Sequence, residues 1–269
     1  MVLIILETIK AIILGIVEGF TEFLPVSSTG HLILVNQFVT FDKKFTTLFD
    51  IVIQLGAILA VMVYFFKRLW PFTKDKDKNK EIWSTWFKTI IGVLPAIVLG
   101  AIFASKIEEK LFNPWTVAIA LLVGGLIILF IERRRHNPKI NSIKDLSFKT
   151  AFYIGLIQCL SMIPGTSRSA STIIGAMFLG ASRVVATEFS FFLAIPTMVA
   201  ASGYSLLKYH AALSHSQLFV LAVGFIVSFF VALAVVKFLI GYVQKHNFKV
   251  FGWYRIVLGV LIIAYFLIK

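Results

Sequence analysis

Long apolar segments dominate this chain and restrict it to structures that a lipid bilayer tolerates. Most of them approach the roughly 20 residues that a helix needs to cross a hydrocarbon core of about 30 Å. Every backbone polar group inside a bilayer must find a partner, which favours helices. The sequence therefore predicts an all-α integral membrane protein, with one membrane domain over residues 1–269. The apolar stretches lie at about 9–38, 46–66, 87–105, 115–131, 150–181, 186–207, 217–238 and 253–268.

Two of these stretches are interrupted near their middle by proline and small hydroxylated residues. The sequence PVSSTG at 25–30 interrupts the first stretch, and PGTSRS at 164–169 interrupts the fifth. Non-helical backbone at membrane depth is tolerated only where protein or water surrounds it. We therefore predict that each stretch forms a re-entrant hairpin of two helices that meet at the break.

An internal repeat relates the two interrupted stretches. AIILG at 11–15 resembles AFYIG at 151–155, an offset of 140, and with a slip of one residue PVSS at 25–28 falls on PGTS at 164–167. The comparison predicts repeat halves at about 1–132 and 150–269, each with one hairpin and three crossing helices. Because three crossings are an odd number, the second half is expected to run inverted relative to the first.

The net charge of +13 is concentrated beside the apolar spans, since 17 of the 26 lysines and arginines lie at 67–88, 133–149 and 237–255. Basic loops of this kind mark the cytoplasmic side and contact anionic lipids. We therefore expect membrane lipids, and no nucleic acid, as partners, with both termini on the outer side. Under this topology the cytoplasmic loops are 67–86, 132–149 and 239–252, and the outer loops are 39–45, 106–114 and 208–216.

Glu18 and Glu22 stand four residues apart within the first interrupted stretch. Residues at this spacing share one face of a helix. An ionisable group costs roughly 3 kcal/mol at the bilayer centre, which makes the pair a candidate functional site. The carboxylates could hold a hard cation such as Mg²⁺ or Ca²⁺, divide acid and base roles, or be a structural pair facing helix donors. The sequence leaves these alternatives open.

Four polar side chains follow at the first break. The hydroxyls of Ser27, Ser28 and Thr29 can cap the following helix or bind a ligand. His31 is the only histidine within an apolar hairpin. It is a candidate general base or nucleophile toward phosphorus, and the alternative is a packing residue.

Arg168 is the corresponding cation at the second break. Its planar guanidinium suits phosphate oxygens and stays charged. The hydroxyls of Thr166, Ser167 and Ser169 surround it in sequence, and exposed backbone N–H groups where a helix restarts favour an anion. A structural ion pair between Arg168 and Glu18 or Glu22 would bring the same groups together.

Other patterns limit the function further. Asp50 and Glu188 lie near predicted membrane boundaries, where a solvated or capping role and a site role are both open. The sequence contains no Walker loop, dinucleotide-binding glycine fingerprint or HExxH motif. We therefore expect no organic cofactor and no ATP-driven transport by this chain alone.

The two interrupted segments resemble the signatures of the bacterial undecaprenyl-diphosphatase family, also called bacitracin-resistance proteins. EGFTEFLPVSSTGH at 18–31 is similar to the first signature, and PGTSRSA at 164–170 is similar to the second. Ala170 stands where the family has glycine. The segment EFSFFLAIP at 188–196, the basic loops and the duplication extend the resemblance over essentially the whole chain.

The resemblance implies hydrolysis of undecaprenyl diphosphate to undecaprenyl phosphate and inorganic phosphate, which recycles the lipid carrier for wall synthesis and confers bacitracin resistance. It also implies the bacterial cytoplasmic membrane and an active site that opens outward. A homodimer stays open, since no residue argues for it. The family's catalytic positions correspond to Glu18, Glu22, His31, Arg168 and the candidate nucleophile Ser28, with His31 or a water molecule as rival nucleophiles. We expect the diphosphate to contact Ser27, Thr29, Gly165, Thr166, Ser167 and Ser169.

A carrier or flippase for polyprenyl phosphate is the alternative from another functional class. Inverted repeats with interrupted helices are a transporter architecture. The cluster of glutamate, serine and histidine favours hydrolysis, because transport requires neither a nucleophile nor a base.

Overall fold

The computed structural model describes residues 2–133, 137–207 and 213–268. Parts of two predicted loops, 134–136 and 208–212, lie outside the described residues. The described residues form α-helices and one 3₁₀ turn, Cys159–Met162. The helices are α1 Val2–Thr21, α2 Ser28–Val35, α3 Lys43–Tyr64, α4 Phe66–Leu69, α5 Lys76–Leu111, α6 Pro114–Arg133, α7 Phe148–Gln158, α8 Arg168–Phe178, α9 Arg183–Leu207, α10 His215–Val243 and α11 Lys249–Ile268.

The predicted class, an all-α integral membrane protein, is confirmed. Within the described ranges, six helices are long and apolar enough to cross a membrane, namely α3, α5, α6, α9, α10 and α11. Three of them belong to each predicted half. Both predicted breaks are also found, because α1 ends before Glu22 and α8 begins only at Arg168.

Several loops are shorter than the sequence predicts. Helix α5 begins at Lys76 and ends at Leu111, so it includes residues from both the predicted 67–86 loop and the predicted 106–114 loop. Helix α10 likewise continues to Val243, beyond the predicted end at 238. Lysine and glutamate are good helix formers, so a helix continues past the apolar segment that predicts it.

The helices of the two halves pack against each other in corresponding pairs. Helix α1 packs along α10 and α7 packs along α5, while α3 contacts α9 and α6 contacts α11. Under the predicted repeat, α1 corresponds to α7 and α5 to α10, so the first two contacts would be equivalent to each other. The other two contacts would each join a helix to its own counterpart. The inverted orientation of the halves, and the division at 1–132 and 150–269, stay predictions.

Glycines bring the first helix of each hairpin close to the opposite half. A Cβ atom at Gly15 would lie 2.8 Å from the carbonyl oxygen of Gly224, and one at Gly19 would lie 2.6 Å from that of Ser228. At the equivalent position in the repeat, a Cβ at Gly155 would overlap the carbonyl of Gly92. Small residues allow this approach of helix backbones within a membrane. Both hairpins are therefore held by the half to which they do not belong.

Candidate functional site

Each hairpin break ends in a serine that caps the next helix. Ser27 has a φ of 74° and accepts a hydrogen bond from the Gly30 N–H at 3.3 Å. Ser167 has a φ of 71° and accepts one from the Ala170 N–H at 3.2 Å. Within the described residues, these are the only non-glycine residues with positive φ. The two caps are equivalent at an offset of 140, so the structure removes the slip of one residue that sequence matching introduced.

The alanine at position 170 lies in the first turn of α8 and is buried. Its φ is not positive, and its N–H group completes the cap of Ser167. An ordinary helical position does not require glycine. The departure from the family signature therefore leaves the backbone of this tip intact.

The carboxylate of Glu22 joins the two tips. Ser28 Oγ donates a hydrogen bond to Glu22 Oε2 at 2.7 Å. Arg168 Nη2 donates to Glu22 Oε1 at 3.3 Å, and the side chains of this ion pair are each 10% exposed. A predicted ion pair thus coincides with the predicted site. A hydroxyl, a base and a guanidinium meet there from two distant parts of the chain.

One nitrogen atom of the Arg168 guanidinium lacks a partner among the described residues. Its Nη1 donates to the carbonyl of Ser190 at 3.1 Å, and its guanidinium lies 5.8 Å from the ring centroid of Phe23. Its Nε is buried and has no hydrogen-bond partner among the described residues. An unsatisfied buried donor is costly, and an acceptor oxygen supplied by a ligand would satisfy it.

Glu18 lies beside the carboxylate of Glu22 in the interior of the protein. It is wholly buried, and neither carboxylate oxygen has a hydrogen-bond partner in the described part of the chain. The charges that act on it are those of Glu22, Asp50 and Arg168. A buried carboxylate without donors requires a proton or a nearby cation.

The predicted metal site is compatible with this arrangement only in a limited form. Among the residues that the structure describes, no group of three His, Cys, Asp or Glu side chains is close enough to hold an ion. Mg²⁺ is often bound by one or two carboxylates together with water and substrate phosphate oxygens. Glu18 and Glu22 fit that donor set, with phosphate completing it.

His31 is not part of the Glu22 cluster. Its Nδ1 lies 2.7 Å from the carbonyl oxygen of Ser27 and its Nε2 lies 2.7 Å from Tyr254 Oη. Because a carbonyl only accepts, Nδ1 carries a hydrogen, and when the ring is neutral Nε2 accepts from the Tyr254 hydroxyl. Both ring nitrogens are engaged, and neither contacts Glu22 or Ser28.

The remaining predicted binding residues divide into two groups. Ser169 Oγ donates to the carbonyl of Leu24 at 2.8 Å and lies 3.1 Å from Ser167 Oγ, so both hydroxyls hold the tips. Thr29 and Thr166 make no side-chain hydrogen bond within the described ranges, which leaves them available to a ligand.

The structure distinguishes Asp50 from Glu188. Asp50 lies within α3, where its charge acts on Glu18 and its Oδ1 is buried without a partner among the described residues. Glu188 forms a bidentate ion pair with Arg68, at 2.5 and 3.0 Å. Asp50 therefore neighbours the site, whereas Glu188 joins α9 to α4.

Sequence reasoning missed two residues of α11 that contact the tips. Tyr254 contacts His31, and Arg255 is wholly buried with its guanidinium on the carbonyls of Pro25 and Gly165. The available signal was an arginine inside an apolar span, which is a functional marker in membrane helices. The sequence comparison assigned Arg255 to the basic cluster at 237–255 instead.

Comparisons with known proteins find similar chains over nearly the whole length of this one. A family model described as Bacitracin resistance protein BacA matches residues 11–261. The chain is similar to an undecaprenyl-diphosphatase from Lachnoclostridium phytofermentans, with 52% identity over 270 residues and 98% of each chain covered. It is also 52% identical to undecaprenyl-diphosphatase 1 of Clostridioides difficile, with 97% of each chain covered. An Enterococcus faecalis undecaprenyl-diphosphatase shares 47% identity, with 96% of each chain covered.

The cap at Ser167 provides a test of the tip geometry. We expect Ser167→Ala to lower the free energy of unfolding by about 1 kcal/mol or more, because it removes the cap and keeps a side chain at positive φ. Ser167→Gly loses the cap but relieves the backbone, so we expect a loss of only a few tenths of a kcal/mol. Thermal unfolding in detergent measures the difference. Equal losses in the two variants would contradict the left-handed conformation.

Proposed function

Because the chain belongs to the bacitracin resistance protein BacA family, we propose that it hydrolyses undecaprenyl diphosphate to undecaprenyl phosphate and inorganic phosphate. The observation that carries this proposal is the Glu22 carboxylate, which accepts from Ser28 Oγ at 2.7 Å and from Arg168 Nη2 at 3.3 Å. A nucleophile, its base and a phosphate-binding cation stand together. The reaction recycles the lipid carrier for wall synthesis and confers resistance to bacitracin.

The diphosphate head binds between the tips. Arg168 supplies its unpartnered Nε, and Thr29 and Thr166 supply hydroxyls. Guanidinium donors aimed at phosphate oxygens stabilise the charge that develops during phosphoryl transfer. The low exposure of Glu22 and Arg168 keeps water away from this charge and strengthens each interaction. The polyprenyl tail stays in the bilayer and leaves sideways between helices.

The first step is attack by Ser28 Oγ on the terminal phosphorus. Glu22 Oε2 accepts the hydroxyl proton, for which the 2.7 Å contact is the required geometry. The bond between the terminal phosphorus and the bridging oxygen breaks, and its electron pair leaves with undecaprenyl phosphate. A phosphoserine remains on the tip of the first hairpin.

The second step is attack by water on the phosphoserine. The bond between phosphorus and Ser28 Oγ breaks, and Glu22 returns its proton to that oxygen. Inorganic phosphate leaves with both protons of the water, which regenerates the carboxylate and the free hydroxyl. Glu22 thus acts as base and then as acid.

Ser28 is favoured over its rivals on geometry. His31 has both ring nitrogens engaged, by the Ser27 carbonyl and by Tyr254. A nucleophilic histidine requires a free lone pair, which Tyr254 occupies. We therefore assign His31 to holding the backbone that precedes Ser28, rather than to the role of general base or nucleophile. Direct attack by water remains the rival that variants of Ser28 test.

A divalent cation, Mg²⁺ or Ca²⁺, is proposed to be held by Glu18 and Glu22 when the diphosphate is present. The orphaned oxygens of Glu18 support this proposal. Such a cation supplies Lewis-acid stabilisation of the phosphoryl oxygens. Arg168, Ser28 and the two tips carry the remaining functions of the site.

We propose that the site opens to the outer face of the cytoplasmic membrane and that both termini lie outside. The support is the distribution of lysine and arginine, which gathers at 67–88, 133–149 and 237–255. Short loops rich in these residues stay on the cytoplasmic side. The diphosphate is then hydrolysed on the side where wall polymers are assembled.

A carrier function is the second candidate, and the pairing of α1 with α10 and of α7 with α5 is the observation that favours it. When the hairpin of each half packs on the other half, the two halves can move relative to each other and expose the site to either side of the membrane in turn. Vesicles that contain a hydrolysis-dead Ser28→Ala variant test it with labelled polyprenyl phosphate. We expect no movement above protein-free vesicles, and movement at the wild-type rate would favour the carrier.

Phosphate release from a long-chain polyprenyl diphosphate by detergent-purified protein tests the hydrolysis directly. We expect Ser28→Ala and Glu22→Gln each to lower kcat by about 1,000-fold or more, because each removes a partner in proton transfer or bond formation. Arg168→Lys should lose about 100-fold, since an ammonium group cannot replace the guanidinium fork.

Matched controls use the same substitutions away from the tips. Ser202→Ala removes a buried hydroxyl of α9, and Glu188→Gln changes the carboxylate that pairs with Arg68. Both should keep wild-type turnover.

EDTA followed by added Mg²⁺ or Ca²⁺ reports the metal requirement, and Glu18→Gln should raise the metal concentration needed. Wild-type turnover by Ser28→Ala would exclude the serine nucleophile, and no release by folded wild type would overturn the proposed function.

A further inference from the structure

Arg255 is a buried cation whose partners are all backbone carbonyls. Its Nη1 lies 3.5 Å from the Pro25 oxygen, and its Nη2 lies 3.1 Å from the Gly165 oxygen and 3.0 Å from that of Ala120. Its Nε lies 3.5 Å from the carbonyl oxygen of Leu121. Within the described residues no carboxylate pairs with it. Burying a charge without a carboxylate partner is energetically costly, so we infer that the hydrogen bonds of Arg255 to these carbonyls are needed.

The two tip carbonyls that Arg255 contacts are equivalent in the repeat. Pro25 and Gly165 are related by the same offset of 140 that relates the capping residues Ser27 and Ser167. The Arg255 guanidinium therefore contacts the corresponding carbonyl in each of the two hairpins. Its fork of donors is suited to several acceptors, which a lysine ammonium cannot reach together.

These carbonyls need an external donor. They lie where the helices are broken, so no intrahelical N–H reaches them, and the membrane interior offers little water. Pro25 and Gly165 are each two residues before a capping serine, which places them directly behind Ser28 and Arg168. A shift of either carbonyl moves a reacting group.

Gly124 of α6 provides the space for the guanidinium. A Cβ atom there would overlap Arg255 Nη2, the far end of a flexible side chain. Gly165 is fixed from the other side, since its φ is +89° and a Cβ would lie 2.6 Å from the Val117 oxygen. Arg255 thus reaches both tips from the closely packed α6–α11 pair.

We propose that Arg255 is a positioning residue that sets the separation of the two tips and thereby the alignment of Ser28 with Arg168. It does not touch the reacting atoms. Two further contacts join the tips directly, Arg168 to Glu22 and Ser169 to the Leu24 carbonyl. The contacts of Arg255 differ from these two, because they join the tips through backbone carbonyls and use no side chain of either hairpin. Its effect on turnover rests on the proposed diphosphatase function.

Kinetics with kcat and KM measured separately tests the proposal. We expect Arg255→Ala and Gly124→Ala each to lower kcat about 100-fold, because a displacement of about 1 Å costs that much, while KM changes less than about threefold. Arg255→Lys keeps the charge but should still lose at least about tenfold in kcat. Gly259→Ala is the matched control, since its Cβ would meet Ala118 and Leu122 on the same helix pair without contacting Arg255.

Hydrogen exchange supplies a readout that does not depend on catalysis. In the same folded variants, amides at 22–30 and 163–170 should exchange faster than in wild type, and those of α3 should not change. Full kcat in Arg255→Lys, or unchanged kcat and exchange in both Arg255→Ala and Gly124→Ala, would overturn the positioning role. If wild type released no phosphate, the proposed function would fail while exchange still decided the role of Arg255.

Discussion

The non-helical backbone at the two hairpin breaks is the constraint on which the rest of the structure depends. Residues 22–27 and 163–167 leave the helix within apolar segments, where unpaired N–H and C=O groups are costly. The protein satisfies them with two capping serines, a cross-tip serine and a buried arginine. The same open backbone places Ser28 and Arg168 at the starts of new helices. The positions at which the backbone needs extra hydrogen bonds are therefore also the positions that carry the reactive side chains.

The carboxylate of Glu22 connects this architecture to chemistry. Its two oxygens are divided between Ser28 on the first hairpin and Arg168 on the second. Neither hairpin contains all three of these groups, and the proposed phosphoryl transfer uses each of them. The close packing of α1 on α10 and of α7 on α5 fixes the helices that carry the tips. The packing of these helices thus brings the Ser28 hydroxyl, the Glu22 carboxylate and the Arg168 guanidinium together.

The sequence predicts the local part of this arrangement well. Proline and small hydroxylated residues within apolar stretches locate both breaks, and the intramembrane charges predict an ion pair of Arg168 with Glu18 or Glu22, of which the structure has the second. Loop lengths are less predictable, because polar helix ends such as that of α5 carry no apolar signal. Sequence identity also aligned the tips with a slip of one residue, whereas the caps at Ser27 and Ser167 match at an offset of 140 without a slip.

Long-range contacts to backbone are the part that sequence could not supply. Arg255 contacts carbonyls 90 and 230 residues away. Every residue has a backbone carbonyl, so no sequence pattern identifies the ones that Arg255 contacts. The contacts of His31 were equally outside what the sequence could predict, since its partners are a backbone carbonyl and a residue of α11. The first turn of α2 directs its ring back to the Ser27 carbonyl and toward Tyr254 of α11.

The most direct test of a shared centre is a double-mutant cycle on kcat/KM for Ser28→Ala and Arg168→Ala. Residues that act as one unit lose activity non-additively. If the two tips form one catalytic centre, the double variant should be within about tenfold of the weaker single variant. Losses that add fully on a logarithmic scale would show that Ser28 and Arg168 act independently, and would contradict the assembly of the site from both hairpins.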